Sequence, residues 1–122
     1  MTTQVVKKMT TPEVANKVVT NCRSGNFFEN YDELYSEDVV KYESVSGPTN
    51  GLKAVLDGAK NFHTTIEKVL SREVSEPLVA GNYFVFRLCQ EFQLKEIGYY
   101  KLDELCLFEV KGGKIICEEY FY

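Results

Sequence analysis

NYFVFRLCQEFQLKEIGYYKLDELCLFEVKGGKIICEEYFY, residues 82–122, reads as three long strands joined by two tight turns. The strand-like stretches are Asn82–Lys95, Tyr99–Val110 and Lys114–Tyr122. Glu96-Ile97-Gly98 and Lys111-Gly112-Gly113 between them are each short enough for a hairpin. A fourth stretch, Ile66–Val79, precedes them across Ala80-Gly81-Asn82, so the C-terminal half is a meander.

Upstream the hydrophobic period is that of helices. Thr11 before Pro12 and Glu13 is a helix start, Val14, Val18, Val19 and Cys22 recur at helical spacing, and Gly25 is a stop. Asn26 with Glu29 caps a second helix, whose apolar side carries Phe27, Tyr31, Leu34 and Tyr35. The pattern breaks at Ser36-Glu37-Asp38, and Val39, Val40 and Tyr42 make a short strand. Ser44–Gly51 is a loop by composition, with Gly47-Pro48 and Asn50-Gly51 as turn signals. A third helix carries Leu52, Val55, Leu56, Ala59 and Phe62 on one side. Gly58 inside it costs about 1 kcal/mol relative to alanine, which points to a close backbone contact. Helices followed by a meander of strands imply an α+β fold, with three helices on one face of an antiparallel sheet.

At 122 residues the chain is the size of one domain, with an ordered core expected from about residue 11 to residue 122. The formal charge of −4, with acids and bases interspersed, argues against nucleic acid and against anionic membrane surfaces. Met1–Thr11 carries Lys7 and Lys8 but no apolar run after them, and so reads as no secretory signal. Cys22, Cys89, Cys106 and Cys117 lie in apolar patterns without a C-x-x-C pair, which predicts reduced thiols in a cytoplasmic protein. No cofactor or metal motif is present.

Both faces of the long strands carry apolar residues. In Tyr83–Phe92 one row is Phe84, Phe86, Leu88, Gln90 and Phe92; the other is Tyr83, Val85, Arg87, Cys89 and Glu91. A sheet wet on one side alternates more cleanly, so the outer face is expected to meet a second copy in a homodimer. Arg87 and Glu91 are expected to form an ion pair on that side.

Three runs together resemble the superfamily of nuclear transport factor 2, the ketosteroid isomerases and the SnoaL-like polyketide cyclases. They are Leu34-Tyr35-Ser36-Glu37-Asp38-Val39-Val40, Gly51-Leu52-Lys53-Ala54-Val55, and Leu107-Phe108-Glu109-Val110-Lys111-Gly112-Gly113-Lys114-Ile115, in that order across nearly the whole chain. The resemblance implies a cone-shaped α+β barrel, cystatin-like or nuclear transport factor 2-like, whose strongly curved antiparallel sheet encloses a pocket. It also implies homodimers through the other sheet face. Glu43 falls where the isomerases carry their general-base carboxylate. Their two oxyanion donors match Val18 or a neighbour, which cannot donate, and Cys106, a weak donor. The ordinary steroid isomerisation is therefore not expected, and the cyclase His–Asp pair is not visible either.

The inward rows expected on the last two strands are Tyr100, Leu102, Glu104, Cys106, Phe108, Val110 and then Ile116, Glu118, Tyr120, Tyr122. With Tyr31, Tyr35, Phe84 and Phe86 they line the pocket, and Gln90, Glu104 and Glu118 are polar groups in otherwise apolar rows. Buried carboxylates have raised pKa values and mark binding sites. Against this stands a rim position for Glu104 and Glu118, since a one-residue slip reverses the faces. His63, in the last turn of the third helix, complements the helix dipole and is a weaker candidate for proton transfer. Two functions stay open. One is a small-molecule-binding isomerase or cyclase, with Glu43 as base and Gln90 or Tyr120 as oxyanion donor on an apolar carbonyl compound. The other is a non-catalytic binding or interaction module.

Overall fold

A computed structural model of the chain describes residues 8–122. The reading of Met1–Lys7 lies outside the described residues. Helix α1 (Thr11–Arg23) is capped by Thr10 rather than Thr11. The Thr10 hydroxyl accepts from Glu13 N at 3.3 Å, and the Glu13 carboxylate accepts from Thr10 N at 2.9 Å. The Thr-x-x-Glu spacing of this capping box begins at Thr10, and Pro12 is tolerated in the first turn. Helix α2 (Phe27–Leu34) starts at Asn26, which makes no side-chain cap bond and donates instead to Ser24 Oγ at 3.2 Å.

Strand β1 (Tyr35–Glu43) follows α2 with no loop between them, so Tyr35 is a strand residue and Ser36-Glu37-Asp38 is part of the strand. The expected loop over 44–51 is instead a hairpin: β2 (Gly47–Asn50) pairs antiparallel with β1. Pro48 is tolerated there because β2 is an edge strand. Gly51, at φ +90°, turns the chain into helix α3 (Leu52–Thr65), and its N–H donates to Val39 O at 2.8 Å. No close backbone contact exists at Gly58; a Cβ there would meet nothing within 4 Å.

The remaining strands are β3 (Ile66–Val74), β4 (Leu78–Ala80), β5 (Tyr83–Leu94), β6 (Gly98–Lys111) and β7 (Lys114–Phe121). The stretch read as one strand over 66–79 is broken at Ser75-Glu76-Pro77. Both halves pair with β5, and Pro77, which has no N–H, falls in the gap. The sheet order is β2-β1-β7-β6-β5-β3, with β4 also on β5. The sheet is mixed rather than antiparallel throughout, because β1 runs parallel to β7. No hairpin joins those two strands, and side-chain alternation carries no information about direction. Register shifts in the β1–β7, β3–β5 and β6–β7 pairs bend the sheet around the helices.

The three helices pack on this sheet: α1 against β3, β4 and β5, α2 against α1 and β1, α3 against β1, β2 and β3. The core joins Val14, Val18 and Val19 of α1 to Val39, Val55, Phe84, Phe108 and Ile115. The shift between Glu109 and Val110 changes the parity of β7, so the buried residue at its start is Ile115 and not Ile116. On the outer face Arg87 does not pair with Glu91. Four residues along a strand span about 13 Å, whereas Asp103 lies diagonally across β6 and takes both guanidinium bonds at 2.8 Å. Glu91 accepts from Tyr99 and Ser71 instead.

Candidate functional site

The inner face of the sheet is ruled by rungs that run across the strands. Arg72 of β3 stands opposite Gln90 of β5, which stands opposite Leu102 of β6. The next rungs pair Leu88 with Glu104, Phe86 with Cys106, and Phe84 with Phe108. Cys106 continues to Tyr120 and Phe108 to Glu118 on β7, and β1 sets Glu43 beside Tyr120 and Lys41 beside Glu118. Under the helices these rungs border a cavity of about 820 Å³.

Tyr31, Tyr35, Glu43, Phe86, Gln90, Glu104, Cys106 and Tyr120 all line it. Phe84 and Glu118, expected on the lining, are not among the wall residues. Phe84 stacks with Phe108 and Phe86 in the core, and Glu118 lies behind the wall with 0% exposure. His63 also lines the cavity from the last turn of α3, edge-on to Phe28 at 5.4 Å.

Glu118 accepts hydrogen bonds from the Tyr35 hydroxyl and from the Tyr120 hydroxyl, the latter at 2.7 Å, both on Oε2. Its Oε1 is buried without a hydrogen-bond partner among the described residues. Burial pushes its pKa up against the two tyrosine bonds. Glu104 is 8% exposed and accepts only a weak bond from the Cys106 thiol, at 3.7 Å. Burial pushes its carboxyl up to about 7; the thiol and Lys41 pull it back, and Glu43 and Glu118 push it further. Burial likewise raises Cys22 to about 12 and Cys106 well above the ordinary thiol range, so neither is a ready thiolate nucleophile.

Glu43 is held at the cavity wall by Lys41 Nζ at 2.8 Å, Ser46 Oγ at 3.3 Å and the Tyr122 hydroxyl at 3.5 Å. Gln90 is 5% exposed, and its Oε1 accepts from Arg72 Nε at 2.8 Å. That bond leaves the Gln90 amide N–H groups without a protein acceptor among the described residues. Gln90 and Glu104 are diagonal neighbours across β5 and β6, a relation that sets residue positions about 7–8 Å apart.

Sequence reasoning overlooked Arg72, Lys41 and the Asn21–Asn30 pair. Arg72 was hidden because register shifts at Ile66/Lys68 and Val69/Ser71 scramble the alternation of β3. The Asn21 amide donates to Asn30 at 2.8 Å and ties α1 to α2; two asparagines on apolar helix faces were the available signal. Among the described residues no group of three or more His, Cys, Asp or Glu is placed to hold a metal ion. No described helix is long and apolar enough to cross a membrane.

The SnoaL-like domain family matches residues 9–122. A proposed SnoaL-like polyketide cyclase from Mesorhizobium loti is similar in structure, at 24% identity and a TM-score of 0.86, over 93% of this chain and 100% of that one. A protein with a ketosteroid isomerase-like fold from Catenulispora acidiphila, solved with trimethylamine, has 15% identity and a TM-score of 0.68, over 93% and 87%. An NTF2-like protein of unknown function from Burkholderia pseudomallei has 12% identity and a TM-score of 0.74, over 93% and 92%. Likeness at these identities shows the fold. Among curated proteins none matches the chain.

The raised Glu104 pKa has a stability consequence with a definite sign. The folded state holds its proton up to about pH 7, whereas an unfolded glutamate releases it near its ordinary value of 4.5. The contribution is therefore fully present below 4.5 and is lost as pH rises through 7. Glu104→Gln removes the loss, so the variant should gain on the wild type by on the order of 3 kcal/mol between pH 4.5 and pH 8. Urea unfolding at both pH values checks this; parallel pH curves for the two proteins would contradict it.

Proposed function

The chain belongs to the SnoaL-like domain family, and we propose that its cavity binds a small, largely apolar carbonyl compound on which the Glu104 carboxyl moves a proton. The observation that carries this reading is a carboxyl poised to titrate near neutrality, on a cavity wall, diagonal to an amide with unused donors. A general base is most effective when its pKa lies near the working pH. Glu104 as carboxylate takes the proton from the carbon next to the carbonyl. The Gln90 amide N–H donates to the carbonyl oxygen as negative charge builds there, whereas the Tyr120 hydroxyl proton is already given to Glu118. Return of the proton to another carbon completes an isomerisation. Attack of the carbanion on a second carbonyl of the same molecule closes a ring instead. The apolar wall keeps water from quenching the carbanion.

Glu43, the base expected from the family pattern, is a second candidate. Its oxygens are engaged by Lys41, Ser46 and Tyr122, whereas Glu104 meets only a thiol. A non-catalytic binding module is the alternative reading. It is favoured by Val18 and Cys106 at the two positions where the isomerases carry oxyanion donors. We also propose a cytoplasmic setting, which suits four free cysteines.

A homodimer through the outer sheet face is a further part of this reading. Leu105 and Phe121 stand opposite each other there, each about half exposed. Leu105→Glu should turn a two-fold dimer into a monomer in sedimentation velocity; a wild-type protein that is monomeric at all concentrations would contradict the dimer.

Thermal-shift and turnover measurements with steroids, aromatic polyketides and small cyclic ketones test the cavity. At least one class should raise the melting temperature in a concentration-dependent way. Turnover of that class should rise with pH through about 7, the value for Glu104. Glu104→Gln should lower it by at least about a hundredfold and Glu43→Gln by less than about tenfold. The reverse order returns the role of base to Glu43. Binding without turnover supports the non-catalytic reading.

A further inference from the structure

The cavity holds a cation that no acid among the described residues balances. Lys41 is neutralised by Glu43 at 2.8 Å, but Arg72, on the opposite side of the sheet, makes no ion pair among the described residues. Its Nε donates to Gln90 Oε1 at 2.8 Å, and its guanidinium carbon lies 5.0 Å from the centre of the Phe27 ring. These two contacts fix the plane of the group. Its two terminal nitrogens make no hydrogen bond among the described residues, which leaves four N–H donors unused.

Room for that head group is made by Gly25. A Cβ on Gly25 would come 3.0 Å from Arg72 Nη1, and the residue is at φ +80°, a conformation that glycine adopts without strain. A partly buried guanidinium without an anion is costly to keep. Its planar fork matches the two oxygens of a carboxylate.

We propose that Arg72 is the anchor for a carboxylate on the ligand, so that the substrate class is an apolar keto acid rather than a neutral ketone. This rests on the small-molecule reading of the same cavity. Arg72, Gln90 and Glu104 then form one line across β3, β5 and β6. The ligand carboxylate sits on the guanidinium, its carbonyl oxygen on the Gln90 amide, and the carbon to be deprotonated beside Glu104. The Arg72–Gln90 bond couples the two recognition events, since it holds the Gln90 oxygen and turns the amide N–H groups to the ligand. Phe27, Phe86 and Leu102 supply the apolar surface around that line.

Titration calorimetry with β-benzoylpropionate and its methyl ester tests this on the wild-type protein, with neutral cyclic ketones as a reference. The acid should bind at least about tenfold more tightly than the ester, and the preference should shrink as sodium chloride is raised. Arg72→Met should abolish the preference while ester binding persists, and Arg72→Lys should restore only part of it. Equal binding of acid and ester overturns the carboxylate anchor and leaves the cavity reading standing. So does binding of the neutral ketones alone. Failure of the acid, the ester and the ketones together overturns the small-molecule reading and the anchor with it. The acid–ester comparison needs no variant, so poor folding of Arg72→Met does not remove the test.

Discussion

Glu118 stands on β7 with no exposed surface, and both hydrogen bonds it accepts come from tyrosines that line the cavity, one on β1 and one on its own strand. Sequestering a carboxyl in this way is costly unless it is hydrogen-bonded. The tyrosines meet that need at Oε2, and the Tyr35 bond ties the first strand of the chain to the last. The parallel β1–β7 seam is otherwise a pairing between distant segments with no turn to hold it. Once the seam forms, Lys41 and Glu43 lie beside β7, and the polar side of the cavity follows from their positions.

The two carboxyls on the cavity wall have different surroundings. Glu43 has a lysine, a serine and a tyrosine to stabilise its charge. Glu104 has one weak thiol bond and sits in a wall of Leu102, Phe86 and Phe108, so burial dominates its titration. Environment rather than residue type assigns the roles. Across the sheet, Arg72 supplies the opposite charge. The cavity is therefore apolar along its length and polar at defined rungs, which suits a ligand with separated functional groups.

Much of this was legible in the sequence. The period-two rows of 83–110 named the inner faces of β5 and β6 without error, because both strands are regular and joined by a tight hairpin. Gln90, Glu104 and Cys106 fall on the cavity wall for that reason. What was not legible lies wherever an extra residue changes the parity of a strand. The shift before Val110 moved the start of β7 by one residue, and the two shifts in β3 concealed Arg72. The direction of β1 and the hairpin at 47–50 depend on long-range pairing, which local patterns do not record. At α1 the proline at the second helical position points to Thr11 as the cap, whereas the reciprocal bonds of the Thr-x-x-Glu spacing place it at Thr10.

The central claim is that the cavity keeps one carboxyl half-protonated near neutral pH. Carbon-detected NMR of the Glu104 side-chain carboxyl, followed as a function of pH, measures it directly. The account predicts a midpoint near 7, with the Glu104 titration still raised above the ordinary glutamate value in Glu43→Gln because burial is the largest cause. A midpoint close to 4.5, the ordinary glutamate value, would contradict it and would mean that water reaches Glu104 freely.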